Sequence, residues 1–279
     1  MNTTHYSEYT QGEKMKFRLS DVIIMSMQSM DKFISYLKSK NPESVSALTK
    51  AYESKLDDEM KNEENTTDSA LYNSLIAGCT NESAYENVYK KTCGLLVNLL
   101  DFKSDMMNKE VGIELEKFHK ARLIPAYLRL CALCETLDRN NAIEIMKNYI
   151  DENIKSLPSR PDEPDDLMKF MDMQHSFNLQ CQDMCWTNCI ISEHKYVNKV
   201  SKCKVHELLK HYGDKELMEV VACYLDFAMI TKTNENFKMT RTQTLIGGGS
   251  CCDTCYHDTR YLDSIEHPSN GFFDNLKDM

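Results

Sequence analysis

The sequence predicts an α+β protein, with a helical N-terminal half followed by a C-terminal half that combines a small antiparallel sheet with helices. Apolar residues recur every three or four positions through the first half, which is typical of amphipathic helices. Later segments alternate apolar and polar residues, as half-buried strands do. The 279 residues also include only nine glycines and six prolines, which is few for a turn-dense all-β protein.

The helical N-terminal region is predicted to cover residues 1–155. Its pattern is carried by three long segments, VIIMSMQSMDKFISYL, ENVYKKTCGLLVNLL and ELEKFHKARLIPAYLRLCALCETL. The next segment, SLPSRPDEPDD at 156–166, holds three of the six prolines among charged residues. Proline fixes the backbone and ends regular structure. We therefore predict a linker or exposed loop at 156–166 and an α+β region at 167–279.

Within 167–279 the predicted order is strand, helix, helix, strand, glycine turn, strand. HSFNLQC and FKMTRTQTLIG alternate like strands, whereas KVHELLKHYG and KELMEVVACYLDFAMI have helical spacing, and Gly213 closes the first of these helices. Three glycines at 247–249 can adopt positive φ and reverse the chain. The strand CCDTCYH is then expected to return alongside TRTQTLI.

Composition restricts the classes of function. The formal net charge is -10 and no dense run of lysine and arginine occurs, which argues against nucleic-acid partners. The N-terminal segment lacks the pattern of a secretory signal, and no apolar stretch is long enough to span a bilayer. We therefore expect a cytoplasmic protein without a membrane partner. In that compartment the 12 cysteines are expected to be thiols, catalytic groups or metal ligands rather than disulfides.

Residues in roughly the last third of the chain follow one family pattern. The pattern is a cysteine before a helix, a Cys-x-x-Asp pair in the next helix, an Arg/Thr strand, a glycine and a Cys-Asp pair. The matching residues are Cys203, Cys223 with Asp226, Arg241 with Thr244, Gly247 or Gly248, and Cys252 with Asp253. In this order they resemble the L-2-amino-thiazoline-4-carboxylic acid hydrolase family. The resemblance implies a hydrolase acting on carbon–nitrogen bonds of cyclic amidines, which opens 2-amino-thiazoline-4-carboxylate to N-carbamoyl-cysteine.

The resemblance also implies roles for individual residues. Ring opening needs a nucleophile, a group that moves a proton and a cation for the substrate carboxylate. Cys252, Asp253 and Arg241 supply those groups, and Thr244 and Gly248 are the further substrate-binding residues. The implied partner is a small-molecule substrate, no cofactor is predicted, and a homo-oligomer is left open.

Strand geometry introduces rivals for the catalytic roles. Neighbours in a strand point to opposite faces unless a bulge intervenes, so Cys252 and Asp253 act together only if the strand is irregular. Asp226 lies one helical turn after Cys223 on the same side. Asp226 is therefore a second candidate acid or base, and Cys223 is a second candidate nucleophile.

Two readings without catalysis stay open. Cys252 and Cys255 have the spacing of half a zinc knuckle, and His257 would add a third ligand. The cysteines that could complete such a zinc site are Cys181, Cys185, Cys189 and Cys203. The alternative function is thus a zinc-binding or small-ligand-sensing module. Structural roles also compete, because Cys223 suits an apolar helix face and Asp253 can cap a turn.

Overall fold

The computed structural model describes residues 2–6, 14–60, 69–158, 163–181 and 183–276. The chain divides into two compact units. Residues 12–149 form the helical unit, and residues 1–11 together with 150–279 form the sheet unit. Residues 159–162 of the predicted linker lie outside the described part of the chain.

Strand β1 (Asn2–Tyr6) opens the chain and belongs to the sheet unit. The following elements of the helical unit are β2 (Lys14–Arg18), α1 (Leu19–Lys40), α2 (Val45–Glu59), α3 (Ser69–Leu75), α4 (Glu86–Leu99), β3 (Glu110–Glu114), α5 (Leu115–Thr136) and α6 (Arg139–Lys155). Helix α6 passes into the sheet unit at Ile150.

The helices of the helical unit form where the sequence predicts amphipathic segments. On α1, Ile23, Met27, Met30 and Leu37 are fully buried at helical spacing. Each such side chain contributes about 1.5–3 kcal/mol through its removal from water, so packing of these faces stabilises the unit. The short antiparallel pair β2–β3 is not predicted, because five-residue strands next to long helices carry too little pattern to be recognised.

The sheet unit continues with α7 (Leu167–Cys181), β4 (Met184–Ser192), β5 (Lys195–Cys203), α8 (Lys204–Leu209), α9 (Lys215–Cys223), α10 (Leu225–Thr233), β6 (Phe237–Thr240), β7 (Cys252–Asp258) and α11 (Asn270–Asn275). Five strands form one antiparallel sheet in the order β1-β4-β5-β7-β6. The predicted α+β class is confirmed. Within the described residues, none of the helices combines the length and the apolar character that crossing a bilayer requires.

Helix α7 corrects one prediction, because HSFNLQC forms the end of this helix and not a strand. Leu167 and Phe170 lie one turn apart on α7 and are buried in the apolar core against the sheet. At the start of the helix, Asp166 Oδ1 accepts a hydrogen bond of 2.8 Å from Lys169 N. This capping contact is visible in the sequence as DDLMK. This helix-start signal outweighs the apolar–polar alternation of HSFNLQC, which extends over only seven residues.

The connection between β6 and β7 corrects a second prediction. Strand β7 pairs with Phe237–Thr240, and Thr240 lies opposite Cys255. Of TRTQTLI only Thr240 is therefore in the strand, and the expected strand pairing of the rest of this segment with CCDTCYH is wrong. Residues 241–251 instead form a long loop, which we call the site loop. Of its three glycines only Gly248 has a positive φ, of 96°. Nor is KELMEVVACYLDFAMI one helix, since α9 and α10 meet at Tyr224.

Alternation along β7 gives the sheet two distinct faces. Tyr256 packs with Leu167 of α7 and Ile230 of α10, and we call this side, which also carries Cys252 and Thr254, the helix face. Cys255 packs with Phe273 of α11. That side, which also carries Asp253 and His257, is called the tail face.

Candidate active site

The Arg241 side chain is the centre of the candidate site on the helix face. It is 9% exposed. Its Nη2 donates to Asp226 Oδ2 at 2.6 Å, its Nε to Thr254 Oγ1 at 3.0 Å, and its Nη1 to the Cys223 carbonyl at 3.3 Å. Burial alone would lower the pKa of Arg241, but the Asp226 carboxylate outweighs burial and raises that pKa. One buried cation therefore connects the end of α9 and the start of α10 to strand β7.

Cys223 and Cys252 lie within electrostatic reach of this cation, and Cys203 lies within reach of those two thiols. Burial raises the pKa of Cys203 to about 12, raises the pKa of Cys223 well above its ordinary value, and raises the pKa of Cys252. The positive charge of Arg241 lowers the pKa of Cys223 and Cys252, but burial is the larger effect. At neutral pH the three groups are therefore thiols and not thiolates.

The site loop contacts Cys252 directly. The backbone N–H of Leu245 donates to the Cys252 sulfur at 3.4 Å, and this hydrogen bond lowers the pKa of the thiol against the effect of burial. A donor aimed at the sulfur stabilises the thiolate more than the thiol. Among the three thiols, Cys252 thus has both a cation and a backbone N–H that favour its deprotonation.

Thr244 and the loop glycines are held by a residue that the sequence did not suggest. The Thr244 hydroxyl donates to Glu219 Oε1 at 2.8 Å and accepts from Gly247 N at 2.9 Å. A Cβ at Gly247 would lie 3.1 Å from Thr244 Oγ1, and one at Gly249 would lie 2.5 Å from Gln243 Oε1. The loop is therefore closely packed on Glu219. Glu219 lies four residues before Cys223 on α9, and this spacing is the only sequence signal that could have identified it.

Asp253 is placed apart from Cys252. Strand β7 pairs regularly with β5 along its length, so the two side chains point to opposite faces. The Asp253 carboxylate is fully buried on the tail face. It accepts hydrogen bonds from Thr242 N at 2.8 Å and Gln243 N at 2.9 Å, and His267 Nε2 lies 3.2 Å from its Oδ2. Its visible role is to hold the start of the site loop.

The structure does not bring the alternative zinc ligands together. Cys252 lies on the helix face, whereas Cys255 and His257 lie on the tail face. Of the other candidate ligands, Cys203 lies at the end of β5, and Cys185 and Cys189 lie in the buried part of β4. The side chain of Cys181 is outside the described part of the chain. Across the described residues, no group of three or more His, Cys, Asp or Glu side chains is arranged to hold a metal ion.

A cavity adjoins the Arg241 cluster. Its volume is about 660 Å³, within the range of small-molecule sites. Phe227 and Met239 form part of its wall, and the same two side chains contact Arg241: the guanidinium carbon lies 5.5 Å from the Phe227 ring centroid, and Nη2 lies 3.9 Å from the Met239 sulfur. Lys155, Lys232 and Lys238 also line the cavity. Cys223, Asp226, Arg241 and Cys252 are not among its described lining residues, so the cavity lies beside the cluster.

Comparison with known families places the chain. The family model described as L-2-amino-thiazoline-4-carboxylic acid hydrolase matches residues 117–256. The match begins in α5, earlier than the last third of the chain that carries the recognised motif, and ends at Tyr256 in β7. No curated protein and no solved structure matches the chain significantly. Because the family model covers half of the sequence, including the complete Arg241 cluster, the chain belongs to the L-2-amino-thiazoline-4-carboxylic acid hydrolase family.

Proposed function

We propose that the protein opens 2-amino-thiazoline-4-carboxylate, or a closely related cyclic amidine, to the N-carbamoyl thiol, and that the reaction takes place on the helix face without a bound cofactor. One observation carries this proposal. The motif residues Cys223, Asp226 and Arg241, which come from separate elements, are joined by the Arg241 hydrogen bonds beside the strand that presents Cys252. Convergence of a cation, a carboxylate and thiols supports a catalytic site.

The product defines the bond that must break. In the substrate ring, the electrophilic carbon is bonded to two nitrogens and to sulfur. An N-carbamoyl product keeps both nitrogens on that carbon, gains oxygen from water and releases the sulfur as a thiol. The bond that opens is therefore carbon–sulfur, which corrects the carbon–nitrogen bond expected from the resemblance. The reaction needs a nucleophile for the carbon and a proton for the leaving sulfur.

In this scheme, Cys252 is the nucleophile. Its thiol loses a proton, its sulfur adds to the ring carbon, the ring sulfur leaves with a proton, and water then displaces Cys252 to give the carbamoyl group. The resting group is a thiol, since burial raises its pKa. Arg241 and the Leu245 N–H favour the thiolate that forms during reaction. Attack by the cysteine divides one difficult step into two easier ones.

Asp226 is the proposed proton carrier. Its carboxylate is 51% exposed and paired with Arg241, and its charge acts on both Cys223 and Cys252. Arg241 uses three of its N–H groups on protein oxygens, out of the five that a guanidinium has. A substrate carboxylate would share this cation with Asp226, and Thr244 and Gly248 in the site loop would line its approach.

The test is a hydrolysis assay with variants of matched cysteines. Cys252→Ala is expected to abolish formation of N-carbamoyl-cysteine, and Asp226→Asn to slow it by roughly 10²–10⁴-fold, as loss of an acid or base does. Cys79→Ala is the control: Cys79 is also partly buried, and burial and a carboxylate, Asp31, raise its pKa to about 11. The control should retain full activity.

Two results would contradict the proposal. Undiminished turnover by Cys252→Ala would remove this residue as nucleophile and make Cys223 the next candidate. Wild-type protein that is stabilised against heat by the thiazoline but never hydrolyses it would indicate a binding module and not an enzyme.

A further inference from the structure

We propose that His267 is a positioning residue for this reaction. It holds Asp253 on the tail face, and through Asp253 it holds the site loop that contacts Cys252 on the helix face. The inference rests on the proposed function. His267 lies beyond Tyr256, outside the part of the chain that the family model matches.

The first step is the dependence of Asp253 on His267. The Asp253 Oδ1 atom accepts from two backbone N–H groups, those of Thr242 and Gln243. Its Oδ2 atom has the Thr242 hydroxyl and His267 Nε2 as its partners. A buried carboxylate must be satisfied by donors. Loss of the imidazole would therefore leave Oδ2 with the Thr242 hydroxyl alone and weaken the anchor of the loop.

The second step is the path from the anchor to the reacting sulfur. Thr242 and Gln243 begin the loop, and the amide side chain of Gln243 accepts from Ser250 N at 3.1 Å near its other end. Between them, Gly249 N donates to the Thr244 carbonyl at 2.8 Å, and Leu245 N reaches Cys252. The loop is thus braced internally by hydrogen bonds that join its start, its middle and its end. A displaced start would carry the Leu245 N–H away from the sulfur.

The third step is the rigidity of His267 itself. Its side chain is 13% exposed, and its ring stacks on Phe273 with 5.3 Å between centroids. The preceding residue is held too, because Lys195 Nζ donates to the Glu266 carbonyl at 2.7 Å. On the far side of the ring from Asp253, His267 Nδ1 lies 2.9 Å from Thr240 Oγ1. The imidazole is therefore fixed from three directions.

With both imidazoles neutral, hydrogen-bond chemistry allows one arrangement of protons. The Asp253 carboxylate only accepts, so His267 Nε2 carries the hydrogen and its Nδ1 accepts from the Thr240 hydroxyl. Thr240 Oγ1 must then accept from His257 Nε2, 2.9 Å away. His257 Nδ1 then carries no hydrogen, and the described residues give this buried atom no hydrogen-bond partner. The chain of contacts orients His267 so that it donates to Asp253.

The experiment compares His267→Phe with His267→Gln. The phenylalanine keeps the stack on Phe273 and removes the donor, whereas the glutamine amide restores a donor. The control is His194→Phe, because His194 stacks on Tyr261 at 4.1 Å and phenylalanine keeps that contact. Each variant is assayed for kcat and KM on the thiazoline. Hydrogen–deuterium exchange is followed on a peptide spanning 241–252, without substrate.

For His267→Phe we expect kcat to fall about 10- to 100-fold with little change in KM, because misplaced groups cost rate more than binding. Exchange at the site loop should become faster. His267→Gln should recover much of the kcat and much of the protection of the site loop from exchange. His194→Phe should match the wild type in both measurements. Unchanged kcat in His267→Phe, unchanged loop exchange, or no recovery in His267→Gln would each overturn the inference. If the wild type does not turn over the thiazoline, the proposed function fails, while the exchange data still decide whether His267 positions the loop.

Discussion

Two buried aspartates, one in each unit, hold a loop by the same kind of contact. In the helical unit, Asp31 of α1 accepts from Thr80 N at 3.0 Å and Asn81 N at 2.8 Å, and also from the Thr80 hydroxyl. In the sheet unit, Asp253 accepts from the N–H groups of Thr242 and Gln243 and from the Thr242 hydroxyl. Each anchor thus consists of two consecutive backbone donors and one threonine.

The two anchors differ in their last partner and in what the loop carries. The additional donors to Asp31 are the Tyr89 hydroxyl and the Asn81 side-chain amide, whereas the additional partner of Asp253 is His267. The turn held by Asp31 leads from α3 toward α4, but the loop held by Asp253 carries Arg241 and contacts Cys252. An aspartate anchor by itself therefore stabilises a loop and nothing more. It becomes part of a site only through the groups that its loop positions.

Removal of each aspartate in turn should have the largest effects. We expect Asp31→Ala and Asp253→Ala each to lower the free energy of unfolding by roughly 3–5 kcal/mol, because several buried donors lose their acceptor. The rate of hydrolysis should distinguish the two variants. Asp253→Ala should slow kcat per folded molecule by about 100-fold, while Asp31→Ala should leave it unchanged. Urea unfolding followed by far-ultraviolet circular dichroism gives the folded fraction. Equal losses of kcat in both variants would contradict the distinction.

Asp31 adds a pH dependence with a defined sign. Burial raises the pKa of Asp31, but hydrogen bonds from Tyr89, Asn81 and Thr80 outweigh it, so the pKa is lowered overall. The carboxylate therefore stabilises the fold above the ordinary aspartate pKa of about 4, and this contribution is lost as pH falls through the lower folded value. The difference between the wild type and Asp31→Ala should shrink in acid.

The sequence predicted much of this molecule and missed the tail face. The helices of the first half and the order of the motif residues were visible, because apolar spacing and local motifs are properties of neighbouring residues. Long-range contacts are not. The pairing of His267 with Asp253 joins residues 14 positions apart with no recurrent spacing, and whether Asp253 faced Cys252 depended on the regularity of a strand. The error at α7 has a different cause, since the chain there carries both a capping aspartate, Asp166, and a seven-residue alternation, and the helix forms.

On the tail face, His257 gives the sheet unit a pH dependence of its own. Burial first, and then the charges of Lys195 and His267, lower the pKa of His257 from 6.5 to about 4. The unfolded chain binds a proton more readily, so stability should fall as pH decreases from about 6.5 toward 4. Between pH 7 and 5 this contribution amounts to roughly 2 kcal/mol.

His257→Gln supplies the control, because it removes the titrating ring and keeps polar atoms. Its stability should change less between pH 7 and 5 than that of the wild type. Fluorescence of Trp186, the only tryptophan and a buried residue of β4, reports unfolding of the sheet unit. If the stability of the two proteins changed equally with pH, the lowered pKa of His257 in the folded protein would be contradicted.

A smaller effect is expected from the two threonines. Thr80→Val and Thr242→Val keep the side-chain shape and the backbone donors and remove one hydroxyl donor from each aspartate. Each should lower the free energy of unfolding by about 1.5 kcal/mol. Only Thr242→Val should also reduce kcat. If Thr80→Val had the greater effect on kcat, the assignment of the site to the sheet unit would be wrong.

The smallest effect should come from the glycines with positive φ, one in each anchored loop. Gly78 has φ of 86° and Gly248 has φ of 96°, a region that side chains disfavour. A Cβ would meet only the flexible end of Gln28 at Gly78, 3.2 Å away, and that of Lys215 at Gly248, 3.1 Å away. Alanine should therefore cost about 1 kcal/mol of stability at either position, through backbone strain alone. Paired melts and kcat measurements should show equal destabilisation, with slower hydrolysis confined to Gly248→Ala. Since the two substitutions strain the backbone alike, a difference in kcat can arise only from what each loop positions.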